Sequence, residues 1–117
     1  MDTTFGETLR ERRRAAGLSQ RELAERTGLD FSYISKVENG RLPPPAADTV
    51  VAICRVLGAP PEELLALAGK LPSDVQARVG TSPVAQRFLS EADRLALTDE
   101  EWERMVRSLH QLREDGQ

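Results

Sequence analysis

The sequence predicts an all-α protein, and three observations lead to this fold class. Apolar residues recur at spacings of three and four, which is the period of an amphipathic helix. Glycines and prolines stand between these segments, where helices begin and end. No run of four to eight residues shows the alternating, β-branched pattern of a strand. We therefore expect short helices joined by turns.

The first helix is predicted to begin at Thr4, because Glu7 three residues later completes a capping-box pattern. Phe5 and Leu9 give this helix an apolar side, and Arg13 falls on the same side. A charge on an inward side needs a partner there, so a second inward charge is expected elsewhere in the chain.

The next two helices lie within residues 17–41. Ser19 and Glu22 form a second capping-box pattern, and Asp30 is placed to cap the second helix of the pair. Gly28 lies between them, where a residue just past a helix end often takes a positive φ. Two short helices joined by such a turn are typical of a helix-turn-helix unit.

The second helix of this pair separates an inward side from a narrow outward side. Taking Ile34 as the origin and about 100° per residue, Glu38 lies only about 40° away, on the inward side. Ser32, Lys36 and Asn39 lie at least about 140° from Ile34. A helix that buries one stripe and presents polar groups opposite is what reading a DNA groove requires.

A small residue, a turn glycine and the exit Glu-Asn-Gly-Arg follow one another along this stretch at characteristic spacings. The residues concerned are Leu18, Ser19, Gln20, Glu22, Leu23, Ala24, Gly28, Ile34, Ser35, Glu38, Asn39, Gly40 and Arg41. In this pattern the stretch resembles the helix-turn-helix of the Cro/C1 (XRE) repressor family. The resemblance covers roughly residues 5–68. It implies a five-helix, lambda-repressor-like DNA-binding domain.

The inward charges Arg13 and Glu38 are expected to form an ion pair, which the resemblance also implies. The alternative is that Arg13 extends its guanidinium into solvent. The resemblance further implies that Gln20 bonds a DNA phosphate. It implies as well that Asn39 and Arg41 clamp the DNA backbone without reading sequence.

Base reading is expected from Ser32 and Lys36, with Lys36 preferring the O6 and N7 atoms of guanine. Phe31 leaves two alternatives open, contact with a thymine methyl or packing toward Ile34. Tyr33, at the flank of the outward side, is a candidate phosphate or sugar contact.

Residues 42–69 complete the predicted domain. A proline-rich loop precedes a helix at about residues 46–57, and a short apolar helix ends before Gly69. Ala46 offers no hydroxyl cap, so we expect Asp48 to assist through the helix dipole. The stripe of the longer helix comprises Val50, Ile53, Cys54 and Leu57.

We divide the chain into a DNA-binding domain at 1–69, a linker at 70–81 and a C-terminal helical hairpin at 82–117. Within the linker, Ser73 and Gln76 form a possible capping box around one or two helical turns.

The last helix carries a broad apolar stripe, which we predict to be a dimerisation surface. Its members are Trp102, Met105, Val106, Leu109 and Leu112. The alternatives are docking within the chain or binding of a regulatory protein partner. Attachment to a membrane is disfavoured, because acidic residues dominate the polar side.

The net charge of −3 and pI of about 5.2 count against nucleic-acid binding. However, residues 1–45 hold eight Lys/Arg against seven Asp/Glu, and four of these cations cluster at Arg10, Arg12, Arg13 and Arg14. The sequence is therefore compatible with a local basic surface on a protein whose net charge is negative.

Other classes of function find little support. Cys54 is the only cysteine, which excludes an intramolecular disulfide and favours a reducing cytoplasm. It is expected to be a small buried apolar residue rather than a redox sensor. His110 stands alone, and we find no catalytic, metal or cofactor pattern. We therefore predict neither an enzyme nor a membrane protein.

The sequence thus favours a cytoplasmic transcriptional regulator, most simply a repressor that binds double-stranded DNA at a pseudo-palindromic operator as a homodimer. One alternative is a helix-turn-helix adaptor that docks proteins. Another is a DNA-binding antitoxin whose last helices hold a toxin.

Overall fold

The computed structural model describes residues 4–115, and this part of the chain contains helices and no strand. The helices are α1 (Phe5–Ala15), α2 (Gln20–Thr27), α3 (Phe31–Glu38), α4 (Ala47–Leu57), α5 (Glu62–Ala68), α6 (Ser73–Gly80), α7 (Pro83–Leu95) and α8 (Asp99–Asp115). The all-α prediction is confirmed. The outermost residues of the predicted domains, 1–3 and 116–117, lie outside the described residues.

The chain divides into two compact units, and the boundary falls between Gln76 and Ala77, inside α6. In the N-terminal unit, α1 packs on α3 and α5, α2 packs on α3 and α4, and α4 packs on α5. The residues with least access to solvent are aliphatic, since the chain holds few aromatics, and include Leu9, Leu23, Ile34, Ile53 and Leu64. Cys54 belongs to the same core.

Local capping fixes both ends of α2. The Glu22 amide donates to Ser19 Oγ at 3.0 Å, and the Ser19 amide donates to Glu22 Oε1 at 3.1 Å, which completes the predicted capping box. Gly28 ends the helix with a φ of 72°, a value that glycine adopts without steric cost. Asp30 then caps α3 by accepting from the Ser32 amide at 3.4 Å. The angle between α2 and α3 is therefore set by local chemistry.

Helix α1 crosses the end of α3 at Gly6. A β-carbon on Gly6 would lie 2.5 Å from the carbonyl oxygen of Glu38 and 2.6 Å from that of Val37. These distances are far inside van der Waals contact, and both atoms belong to the backbone. Only glycine allows the two helices to approach this closely.

Asp48 lies in the first turn of α4, where the sequence predicted that it would act on the helix dipole, and it also makes a contact that the sequence did not predict. Its carboxylate accepts from the Ser73 amide at 3.1 Å and from the Ser73 hydroxyl at 2.7 Å, so it connects the start of α6 to α4. No side chain caps α4 at Ala46. The predicted Ser73–Gln76 capping box is therefore wrong, because Ser73 is itself the first residue of the helix and its hydroxyl donates to a charged acceptor.

In the C-terminal unit, Ser82 caps α7 by accepting from the Ala85 amide at 3.1 Å. Thr98 and Glu101 form a reciprocal capping box at the start of α8. Both helices leave large apolar side chains exposed, namely Val84, Phe88, Leu89, Leu95, Trp102, Val106, Leu109 and Leu112. Among residues 4–115, no helix combines the length and the apolar character that crossing a membrane demands.

Candidate nucleic-acid interface

Helix α3 presents the predicted reading residues to solvent. Ser32 and Lys36 are exposed, whereas Ile34 and Val37 on the opposite side are buried in the core of the N-terminal unit. The buried side holds the helix in place, and the exposed side is open to a groove of DNA.

Glu38, at the C-terminal end of α3, is the centre of a buried polar cluster. Its side chain is 0% exposed. Arg13 Nε donates to Glu38 Oε2 at 2.7 Å, and Arg13 Nη2 donates to Oε1 at 3.0 Å. Gln20 Nε2 donates to Oε1 at 2.9 Å. One carboxylate therefore joins α1, α2 and α3.

Arg13 is fully engaged in this cluster. Its Nη1 also donates to the Leu18 carbonyl oxygen at 2.9 Å, and the residue is 7% exposed. The hydrogen bond to Glu38 raises the pKa of Arg13, burial opposes the rise, and the charge of Glu38 adds to it. The guanidinium therefore stays positively charged beneath the surface.

Burial alone would raise the pKa of Glu38. Hydrogen bonds from Arg13 and Gln20, the charge of Arg13 and a weaker hydrogen bond from Arg10 outweigh burial, so the pKa of Glu38 lies below its ordinary value. The carboxylate is therefore ionised at neutral pH. No buried side-chain nitrogen or oxygen within residues 4–115 lacks a hydrogen-bond partner.

Asn39 caps the C-terminal end of α3, and its side-chain oxygen accepts from Arg10 Nη2. Arg10 Nε also lies 3.4 Å from Glu38 Oε1. The amide nitrogen of Asn39 remains as the donor for a phosphate contact. Arg41, two residues further on, is exposed.

Phe31 is 37% exposed and is not part of the buried core. The guanidinium carbon of Arg21 lies 4.5 Å from the centroid of its ring, which is a cation–π stack. Phe31 therefore has Arg21, at the start of α2, as a partner on its ring face. Tyr33 is half-buried and packs against the core, so less of its surface is open than that of Lys36.

A shallow cleft beside the N-terminus of α2 collects several cations. It is lined by Arg10, Arg13, Arg14, Ser19, Gln20, Arg21 and Phe31. The positive end of the α2 dipole adds to their field. This cleft is a local basic surface on a protein whose net negative charge counts against nucleic-acid binding.

Sequence reasoning missed Arg21 as a contributor to this surface, and for Arg10, which it placed in the basic cluster, it missed the contact with Asn39. Arg10 bonds Asn39 and Arg21 stacks on Phe31, and both contacts join different helices. In the sequence, the only indication for Arg21 was its position next to Gln20. That position does not reveal which residue of another helix Arg21 contacts. The expected dimerisation residues belong to α8 in the C-terminal unit, where Met105 is half-exposed and the other four are exposed.

Among residues 4–114, whose side chains the structure describes, no group of three or more His, Cys, Asp or Glu could hold a metal ion. The surface around the exposed side of α3 offers hydrogen-bond donors and positive charges. Such a set suits a polyanion.

Comparison with known proteins agrees with this geometry. The profile of the family described as "Helix-turn-helix domain" matches residues 4–67. The uncharacterized HTH-type transcriptional regulator RghRB of Bacillus subtilis (strain 168) is 42% identical over 67 residues, which are 57% of this chain and 48% of that protein. The uncharacterized HTH-type transcriptional regulator Rv0474 of Mycobacterium tuberculosis (strain ATCC 25618 / H37Rv) is 33% identical over 94 residues, which are 80% of this chain and 66% of that protein.

Among solved structures, the master regulator for biofilm formation SinR, in complex with DNA, matches with a TM-score of 0.51 and 29% identity. That match covers 53% of this chain and 98% of the SinR chain in that structure. The chain spans about half to two thirds of the length of the two curated relatives. These three proteins are regulators rather than enzymes. The predicted resemblance is confirmed, and the chain belongs to the helix-turn-helix regulators of the Cro/C1 (XRE) type.

Proposed function

We propose that this protein is a sequence-specific transcriptional regulator that inserts α3 into the major groove of double-stranded DNA. The observation that carries the proposal is the exposure of Ser32 and Lys36 on a helix whose other side is locked by Glu38. Lys36 reads guanine, and the shorter Ser32 adds a contact that discriminates little between bases.

The residues around α3 position the protein on the DNA backbone. Arg41 and the amide of Asn39 contact phosphates at the exit of α3, and Gln20 does so at the N-terminus of α2. Tyr33 contacts a sugar or phosphate at the flank. Because the cluster around Glu38 holds Gln20 and Asn39 before DNA arrives, little side-chain entropy is lost on binding.

A single reading helix with so few base contacts binds weakly, so the functional form is a homodimer on a pseudo-palindromic operator. Two copies of α3 then lie about 34 Å apart, which is one turn of DNA. The exposed stripe on α8 supports this proposal, since it offers apolar surface to a second copy. Repression by occlusion of a promoter is the simplest mechanism for such a dimer.

The proposal is tested by comparing Lys36→Ala with Arg41→Ala, because each variant removes one cation close to the end of α3. We expect Lys36→Ala to weaken binding to the selected operator by about 1–3 kcal/mol and to leave binding to unrelated DNA unchanged. Arg41→Ala is expected to weaken both and to reduce the log-log salt slope by about one. Fluorescence anisotropy over a salt series measures both quantities.

Equal losses for Lys36→Ala on the two DNAs would assign Lys36 to the phosphate contacts. Absence of salt-dependent binding to any promoter fragment would refute the proposed function. Selection of bound fragments from genomic DNA supplies the operator for these measurements.

A further inference from the structure

Charges are segregated along α8, beside its exposed apolar stripe. Residues 99–103 contain four carboxylates and no cation, residues 104–113 contain three arginines, one histidine and no carboxylate, and the helix ends with Glu114 and Asp115. Four of the five stripe residues are symmetric about Arg107, because Trp102 and Leu112 lie equally far from it, and so do Met105 and Leu109. A second α8 can therefore cover the stripe in either direction, and the charges decide between the two directions.

We propose that α8 pairs with α8 of a second copy of this chain in an antiparallel arrangement centred near residue 107. Trp102 then packs against Leu112 of the second copy, and Met105 packs against its Leu109. The carboxylate of Asp99 at the start of each helix then lies beside the guanidinium of Arg113 near the end of the other. This inference rests on the homodimer of the proposed function and specifies how that homodimer is built.

Helical geometry identifies the charges that meet. At about 100° per residue, Asp99 and Arg113 fall about 80° and 40° from the centre of the stripe, on the same edge. In an antiparallel pair the same edges of the two helices face each other. Asp99 therefore lies beside Arg113 of the second copy, and the two-fold axis forms this pair twice.

A parallel pair is disfavoured on the same grounds. It would bring the carboxylates at the two edges of the stripe, Asp99 and Glu101, beside those of the other copy, with no cation within residues 99–103. It would also align the two helix dipoles. The antiparallel direction removes both repulsions.

The test is sedimentation equilibrium of the full chain without DNA, for the variants Asp99→Arg and Arg113→Asp. Each reversal turns two attractive contacts into repulsive ones, so we expect the self-association constant to fall about ten-fold or more. An equimolar mixture of the two variants is expected to recover association, because Arg at 99 then faces Asp at 113. The variant that carries both reversals is expected to recover it as well.

Matched controls lie on the far side of α8. Glu100 and Arg107 fall within about 20° of the direction opposite to the stripe. Glu100→Arg and Arg107→Asp make the same charge changes there and are expected to alter self-association less than about two-fold. Because Glu100 and Asp99 both lie in the first turn of α8, this control also accounts for the effect of the helix dipole.

Three outcomes would overturn the proposal. They are a monomeric wild-type chain, tighter association in Asp99→Arg, and failure of the mixture to recover association. If the wild-type chain is monomeric, the stripe binds another protein or surface. If Asp99→Arg associates more tightly than the wild type, the two helices pair in parallel. If circular dichroism shows that a reversal unfolds α8, Asp99→Asn and Arg113→Gln replace it, and each is expected to weaken association about three-fold. Since DNA is absent, failure here leaves the test of DNA binding by α3 intact.

Discussion

At the scale of single residues, the fold of the DNA-binding unit depends on one carboxylate. Glu38 has no solvent access and accepts from Arg13 and Gln20, which come from two other helices. A buried carboxylate costs free energy unless its charge is compensated, and here the compensation also orients α3. The residue that ends the reading helix therefore also fixes its position.

Removal of Arg13 tests this dependence. Arg13→Met leaves Glu38 buried with weaker partners, so we expect the free energy of unfolding to fall by about 3 kcal/mol in urea denaturation. Arg12→Met is the matched control, because Arg12 pairs with Glu63 at 2.7 Å where both side chains are about half exposed. That change is expected to cost less than about 1 kcal/mol. Similar costs for both variants would contradict the role given to burial.

The depressed pKa of Glu38 predicts a dependence of stability on pH. A carboxyl group with a pKa lower in the folded than in the unfolded state stabilises the fold above its unfolded pKa of about 4.3. This contribution is lost as the pH falls through the folded pKa. Glu38→Gln lacks the group, so the stability gap between wild type and variant should narrow between neutral pH and about pH 3. Urea denaturation across this range measures the gap, and a constant gap would argue against the assignment.

At the scale of helices, the arrangement of α1 and α3 depends on Gly6. The carbonyl oxygens of Val37 and Glu38 occupy the space that a β-carbon would need. These carbonyls belong to the last residues of α3, so any displacement there also moves the residues that we propose to contact DNA.

Gly6→Ala is expected to lower the free energy of unfolding by about 1–3 kcal/mol, since backbone atoms must shift. Gly80→Ala is the matched control, because Gly80 is also helical and a β-carbon there meets nothing within 4 Å. That substitution is expected to be neutral or to stabilise by up to about 1 kcal/mol. Thermal and urea unfolding provide the comparison, and equal effects at the two positions would refute the close approach.

Whether a feature could be predicted from the sequence depends on whether it involves neighbouring residues or residues of separate helices. Ser19 with Glu22, and the positive φ of Gly28, are properties of adjacent residues, so the helix ends could be predicted from the sequence. The Arg13–Glu38 contact was predictable because two charges on inward sides must compensate each other. By contrast, the stacking of Arg21 on Phe31 and the bonding of Asp48 to Ser73 depend on the positions of separate helices.

At the scale of the whole molecule, an acidic chain presents a basic surface to its proposed ligand. Four arginines line the cleft beside α2, and carboxylates outnumber cations in the rest of the sequence. This charge distribution weakens non-specific attraction to DNA. The affinity for an operator then depends on base contacts and on how many copies of α3 bind at the same time.

Disruption of the α8 stripe tests whether operator affinity depends on two copies of α3 that bind together. Leu109→Asp is expected to abolish self-association, because it places a charge in the middle of the apolar contact. Operator affinity is expected to fall by at least about ten-fold, while affinity for an isolated half-site stays unchanged. Anisotropy titrations on the two DNAs measure the difference. Loss of half-site binding would indicate that the substitution damages the N-terminal unit.

The burial of Cys54 in the core of the DNA-binding unit gives the molecule a built-in chemical reporter. Burial raises the pKa of the thiol, and the charges of Glu62 and Glu63 raise it further, so the reactive thiolate is scarce in the folded state. Because the chain has no other cysteine, thiol labelling under native conditions counts openings of this core without any substitution. A decrease in labelling rate upon addition of operator DNA would then measure how strongly DNA binding tightens the core.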